Sequence, residues 1–143
     1  MNIVELYRYQ NINTNIIKIK QRLAQLEASI LSSNKYDSQP LNCQNNSNPT
    51  EKIALLITDL KIELNSQLES LIREEIRINK FISTIEDKEI KLIVRMRFLE
   101  GRDWEEIGTT LNMHRSNCLK KLKKYLKDYS EKGTKQNENK NSL

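Results

Sequence analysis

From Ile12 onward the strongly apolar residues fall at Ile12, Ile16, Ile19, Leu23, Leu26 and Ile30, in alternating steps of four and three. An α-helix turns once in about 3.6 residues, so this spacing keeps a narrow apolar seam on one side and demands a second apolar surface to cover it. Extended back to Ile3, such a helix holds about thirty residues and spans about 45 Å at about 1.5 Å per residue. A second series, Ile53, Ile57, Leu60, Leu64, Leu68, Leu71, Ile72, Ile76, Ile78, Phe81 and Ile82, makes a broader stripe of similar length. Thr50 or Asn48 supplies its cap, with Glu51 beside the positive end of the helix dipole.

Between the two stripes lies "SSNKYDSQPLNCQNNSNP", residues 32 to 49, in which Asn, Ser, Gln and two prolines displace apolar residues and no period survives. It reads as a polar loop. Two helices of matched length on such a loop are expected to fold back as an antiparallel, coiled-coil-like hairpin over residues 1 to 85. The second stripe is wider than one partner covers, which leaves surface for a homodimer through the long helices. The class expected is all-α: 3 Gly and 2 Pro in 143 residues provide few turns for sheets.

The charge is uneven. Residues 1 to 85 carry ten Lys or Arg against nine Asp or Glu, whereas residues 107 to 132 carry seven against two, within a net charge of +5. A basic stripe confined to one element is the expected footprint of a polyanion, nucleic acid above all. No run approaches the about 18 apolar residues of a membrane span, and "MNIVELYRYQ" lacks the build of a signal peptide, so a cytoplasmic protein without membrane contact is expected. Cys43 and Cys118 are too far apart and too few to suggest a disulfide framework or a metal site, and no cofactor motif is present.

After Ile85 the pattern shortens. "TIEDKEIKLIVRMRFLEG" starts at the pair Thr84 and Asp87, buries Ile90, Ile93, Val94, Met96, Phe98 and Leu99, and stops at Gly101. Asp103 with Glu106 caps a further short helix over residues 103 to 111, and a third runs from about His114 to Lys127. Between Leu111 and Arg115 the chain reverses within a few residues, as two helices crossing at about 90 to 120° require. Asn112 stands where the turn needs positive φ, and Gly108 stands where a Cβ would hold the helices apart. Residues 130 to 143, with Leu143 as their one apolar member, are expected to be a disordered tail.

"EDKEIKLIVRMRFLEGRDWEEIGTTLNMHRSNCLKKLKKYL" resembles region 4 of sigma-70 family transcription factors, in which a helix, a Gly-containing stop and a Trp-Glu-Glu-Ile-like helix precede a promoter-reading helix. With the long helices in front, the whole chain is similar to the sigma-like late-gene regulators of phages and prophages of Gram-positive bacteria. The motif-level match covers residues 86 to 127, and residues 3 to 85 agree in helical pattern and length. The resemblance implies a helix-turn-helix over residues 86 to 129 that binds double-stranded DNA; the long helices are expected to supply either dimerisation or a surface for RNA polymerase. It places Arg115, Ser116, Asn117, Leu119 and Lys120 at base-contacting positions. Leu119 departs from the family's usual polar residue there, and Lys121 from its usual apolar one.

The residues expected to touch DNA are therefore His114, Arg115, Ser116, Asn117, Lys120, Lys121, Lys123, Lys124 and Lys127. Asn117 suits a bidentate pair with adenine and Arg115 with guanine, while the lysines suit phosphates. His114, the single histidine, falls at the helix start as a cap or phosphate contact, and Trp104 reads as the plug of a small core. Neighbouring acids such as Glu74 with Glu75, or Glu105 with Glu106, point different ways on a helix and build neither an acid–base pair nor a metal cage. No catalytic constellation assembles, so a non-enzymatic role is expected. Two other roles share these features: a phage small terminase subunit that packages DNA as a ring, and a helical protein-interaction module whose lysines are incidental.

Overall fold

A computed structural model describes residues 1–34 and 49–141. Its elements are α1 (Ile3–Asn34), α2 (Pro49–Thr84), α3 (Lys88–Val94), α4 (Trp104–Leu111) and α5 (Arg115–Asn141), with a π-helical turn over Arg95–Leu99 continuing α3. No strand occurs among the described residues, and the class is all-α. Of the expected polar loop, residues 32–34 close α1 and Pro49 opens α2; the rest, Cys43 included, lies outside the described residues. No helix among the described residues is long and apolar enough to cross a membrane.

A reciprocal cap starts α1. The Glu5 amide donates to Asn2 Oδ1 and the Asn2 amide donates to Glu5 Oε2, both at 2.9 Å, so two otherwise orphaned donors are satisfied at once. Proline at the first position of α2 loses nothing, because its missing N–H would have had no helical partner there.

The chain divides into two compact units, Ile12–Leu71 and a second composed of Met1–Asn11 with Ile72–Leu143. Within the first, Ile16, Ile19, Leu23 and Leu26 of α1 are buried, and Ile53, Ile57, Leu60 and Leu64 of α2 are half-buried. Within the second, one core joins Leu6, Ile78, Phe81, Ile82 and Ile85 to Ile90, Ile93, Phe98, Ile107, Cys118 and Leu122. The packing therefore does not divide at residue 85, where the sequence suggested a boundary. The reason is size: α3 and α4 have 7 and 8 residues, too little apolar surface for a core of their own, and the ends of the long helices complete it.

Asp87 alone caps α3, its Oδ1 accepting from the amides of Glu89 at 2.9 Å and Ile90 at 3.4 Å. Thr84, expected to share that role, instead ends α2 and donates its hydroxyl to the Phe81 carbonyl at 2.7 Å. At the other end the helix widens into the π turn, with the Glu100 amide reaching Arg95 O at 3.1 Å, and stops at Gly101, φ 71°. The turn presents Arg97 inward. Its guanidinium carbon lies 5.7 Å from the Tyr7 ring centre and 5.1 Å from that of Trp104, and its Nη1 donates to Arg102 O at 2.9 Å. The Arg97 Nε is buried and finds no acceptor among the described residues, so the two ring faces take over part of the solvation the charge has lost. Tyr7 also meets Phe98 edge to face, centroids 5.0 Å apart.

α4 begins on Asp103, whose Oδ1 accepts from the Glu106 amide at 2.8 Å. It ends on Asn112 at φ 52° and ψ 44°, the left-handed conformation in which Asn is tolerated better than other side chains. The Met113 amide returns to Gly108 O at 2.8 Å, and α5 starts two residues later. A Cβ on Gly108 would sit 2.4 Å from Met113 O and 3.3 Å from Arg115 N, both backbone atoms that have no rotamer to escape into. α5 then runs to Asn141, well past the Lys127 end and through the tail expected to be disordered. Ser130 to Glu138 are exposed throughout. The packed face ends with Tyr129, which meets Phe81 edge to face at 5.2 Å, but no proline interrupts the backbone ladder beyond it, and Lys, Glu and Gln favour it.

Gly108→Ala lowers unfolding free energy by about 1–3 kcal/mol despite alanine's higher helix propensity, read by chemical denaturation, because overpacking against fixed backbone outweighs propensity. The carboxyls of Glu5 and Asp87 both lie below their ordinary values. Glu5 is held down by the hydrogen bond from the Asn2 amide and then by Arg77, at 2.6 Å. For Asp87, burial pushes upward and is outweighed by the Ile90 and Glu89 amides and the Lys121 charge. Their stabilisation is present above the ordinary carboxylate range and lost as pH falls through the lowered values. The thermal midpoint should hold between about pH 7 and 5 and fall below about pH 4, and Glu5→Gln with Asp87→Asn should flatten that fall.

Candidate nucleic-acid interface

The first turn of α5 is fastened by its own side chains. His114 precedes the helix, and its Nδ1 accepts from the Ser116 amide at 3.2 Å while lying 2.7 Å from Ser116 Oγ. The imidazole thus acts as the N-cap, satisfying an amide that has no helical partner.

Two faces follow from the spacing. Cys118, Leu122 and Leu126 are buried, with Tyr125 half-buried between them. Ser116, Lys120, Lys123 and Lys127 recur in steps of four, three and four, so they form one line along the opposite side, with Asn117 and Lys124 on its flank. All six are exposed. The line covers about 16 Å of helix at about 1.5 Å per residue. Among the described residues, Lys120, Lys123, Lys124 and Lys127 have no carboxylate within salt-bridge distance.

Two residues expected in the same set behave differently. Lys121 leans toward α3: its ammonium bonds Glu89 and lies 3.5 Å from Asp87 Oδ2, with a side chain 34% exposed. The Glu89 hydrogen bond holds its pKa above the ordinary lysine range, with Asp87 adding to the effect. Lys121 thus closes an ion cluster at the start of α3. Arg115 projects toward α4, with Nη1 3.2 Å from Glu105 Oε1. Leu119 is half-buried beside the shallow groove between the two helices, which Asp103, Trp104, Glu105, Arg115 and Ser116 also line.

Sequence reasoning passed over Glu105, Asp87 and Glu89 as partners of the basic helix. Glu105 and Arg115 are ten residues apart across a turn, and only the crossing angle brings them together. A first-turn acid on one helix and a first-turn Arg on the next, separated by a tight turn, is the pattern that could have pointed to the pair. Cys118 is fully buried, and burial pushes its thiol pKa up, away from reactivity.

No protein-family model, curated protein or solved structure matches the chain.

The ion cluster separates two neighbouring lysines. Lys121→Ala should lower stability by up to about 1 kcal/mol at low salt and by less at high salt, as screening removes the attraction it interrupts. Lys120→Ala, which interrupts no ion pair among the described residues, should leave the unfolding midpoint unchanged at either salt.

Proposed function

We propose that the chain binds duplex DNA in a non-catalytic way, as a transcriptional regulator of the sigma region 4-like kind, with α4 and α5 forming a helix-turn-helix and α5 lying in the major groove. The observation that carries this reading is the outward line of α5. Lysines with no carboxylate within salt-bridge distance among the described residues stand on the solvent side of a helix whose other side is sealed into the core, directly after a capped start that presents Arg115, Ser116 and Asn117. A major groove about 12 Å wide accepts one helix, and a lysine line without internal partners leaves its charge for phosphates.

In this reading Lys120, Lys123, Lys124 and Lys127 set the register on the backbone. Asn117 reads adenine and Arg115 reads guanine through bidentate pairs. Lys121 contributes to the scaffold through its acid partners more than to DNA. The long helices pair antiparallel: the buried α1 seam and the Glu5–Arg77 ion pair, which joins the start of α1 to the end of α2, support this. The exposed Leu55 and Ile62 of α2 supply a surface for a homodimer or for RNA polymerase.

Binding to a labelled duplex across a salt series tests the proposal. Four phosphate contacts give a log–log slope of about −3.6. Changing Lys120, Lys123, Lys124 and Lys127 together to Ala should weaken binding by well over tenfold at moderate salt and flatten the slope, with the helical signal retained. Affinity that is insensitive to those four changes would favour a protein-interaction module. Light scattering gives the assembly: a monomer or dimer suits the regulator, and a ring of eight or more subunits the DNA-packaging role.

A further inference from the structure

The base-reading candidate at the start of α5 is not free. Arg115 Nη1 donates to Glu105 Oε1 at 3.2 Å across the α4–α5 turn, and both side chains are mostly exposed, at 62% and 74%. An exposed pair of this kind adds little to stability. Its geometry has another consequence. A guanidinium has five N–H donors in a rigid plane, so engaging one edge fixes the direction of the remaining fork. An unrestrained Arg beside DNA takes the nearest phosphate, which carries no sequence information. A carboxylate next to it repels phosphate and leaves the fork for an uncharged acceptor edge, of which guanine O6 and N7 form the bidentate match.

We infer that Glu105 is a positioning residue for Arg115, turning it from a phosphate contact into a guanine reader and so setting sequence discrimination from a helix that does not itself enter the groove. The inference rests on the DNA-binding reading above. Glu105 is well placed for the task. It lies in the first turn of α4, whose start is pinned by the Asp103 cap, and the close approach at Gly108 fixes α4 against the start of α5. The backbone that carries Glu105 is therefore held against the start of α5, within reach of Arg115.

The test is selection from a random duplex pool by the full chain, followed by affinity for the selected site and for one with its Arg115-dependent guanine replaced. Wild-type protein should enrich a site containing a guanine whose preference Arg115→Ala abolishes. Glu105→Ala should cut the preference for that guanine about fivefold or more while strengthening binding to unrelated duplex, because a negative charge has left the surface. Glu105→Gln keeps an acceptor at the same reach and should restore part of the preference. In an Arg115→Ala background, Glu105→Ala should change discrimination no further, and melting curves show that each variant is folded.

A Glu105→Ala protein with undiminished guanine preference, or one whose loss is equal with and without Arg115, overturns the positioning role while leaving the DNA reading intact. A selected site with no guanine dependent on Arg115 overturns it as well. Failure of the wild-type chain to enrich any site overturns the DNA-reading proposal itself, and the role of Glu105 falls with it.

Discussion

The close approach of two backbones at Gly108 governs the C-terminal half of the molecule. With no Cβ in the way, Met113 O comes to within 2.4 Å of where one would stand, and the chain turns from α4 into α5 in three residues. That turn is short enough for Asn112 to absorb alone in the left-handed region. Crossing at this distance puts Ile107, Cys118 and Leu122 into the same core, and it leaves Ser116, Lys120, Lys123 and Lys127 on the other side of α5 exposed. A larger residue at 108 would separate the helices and remove both results together, since the buried face and the outward basic line are two sides of one rod.

A second device secures the surroundings. The π turn after α3 directs Arg97 into a slot between Tyr7 and Trp104, where a charge would ordinarily be out of place. Its hydrogen bond to Arg102 O holds the stretch that leads into α4, and the Gln10 side-chain amide donates to the Arg97 carbonyl. Arg97 thus ties α1, the π turn and the start of α4 together through one side chain. Widened helical turns recur where a side chain must be re-aimed, and here the re-aimed group is structural. Lys121 does comparable work on the other side of the core, tying α5 to the acids at the start of α3. Of the basic residues in this half, some are engaged by the fold and others stay exposed on α5.

That division bears on how the charge of a short basic helix should be read. Counting lysines over residues 107 to 132 overstates the free positive surface, because Lys121 is neutralised by Asp87 and Glu89 and Arg115 is engaged by Glu105. What remains is a line of lysines in helical register, which is more informative than the total. A solvated face of an ordinary helix usually alternates signs, whereas Ser116, Lys120, Lys123 and Lys127 contain no acid.

Much of this was legible in the order of residues. Apolar periods determined five helices, Asp103 and Gly101 marked ends, and Gly108 with Asn112 marked the turn, because each rests on interactions within a few residues along the chain. The outward placement of Lys120, Lys123, Lys124 and Lys127 was equally local, following from helical period once Cys118 and Leu122 are known to be inside. Three things were decided by tertiary structure alone: the shared core that joins Leu6 and Ile78 to the short helices, the diversion of Lys121 to α3, and the grip of Glu105 on Arg115. Each joins residues that are distant in sequence, so it depends on crossing angles and close approaches that no local period encodes. The helical extension to Asn141 is not marked by any apolar period, because it continues a helix already nucleated by the buried turns of α5 through residues such as Lys, Glu and Gln that favour the helix.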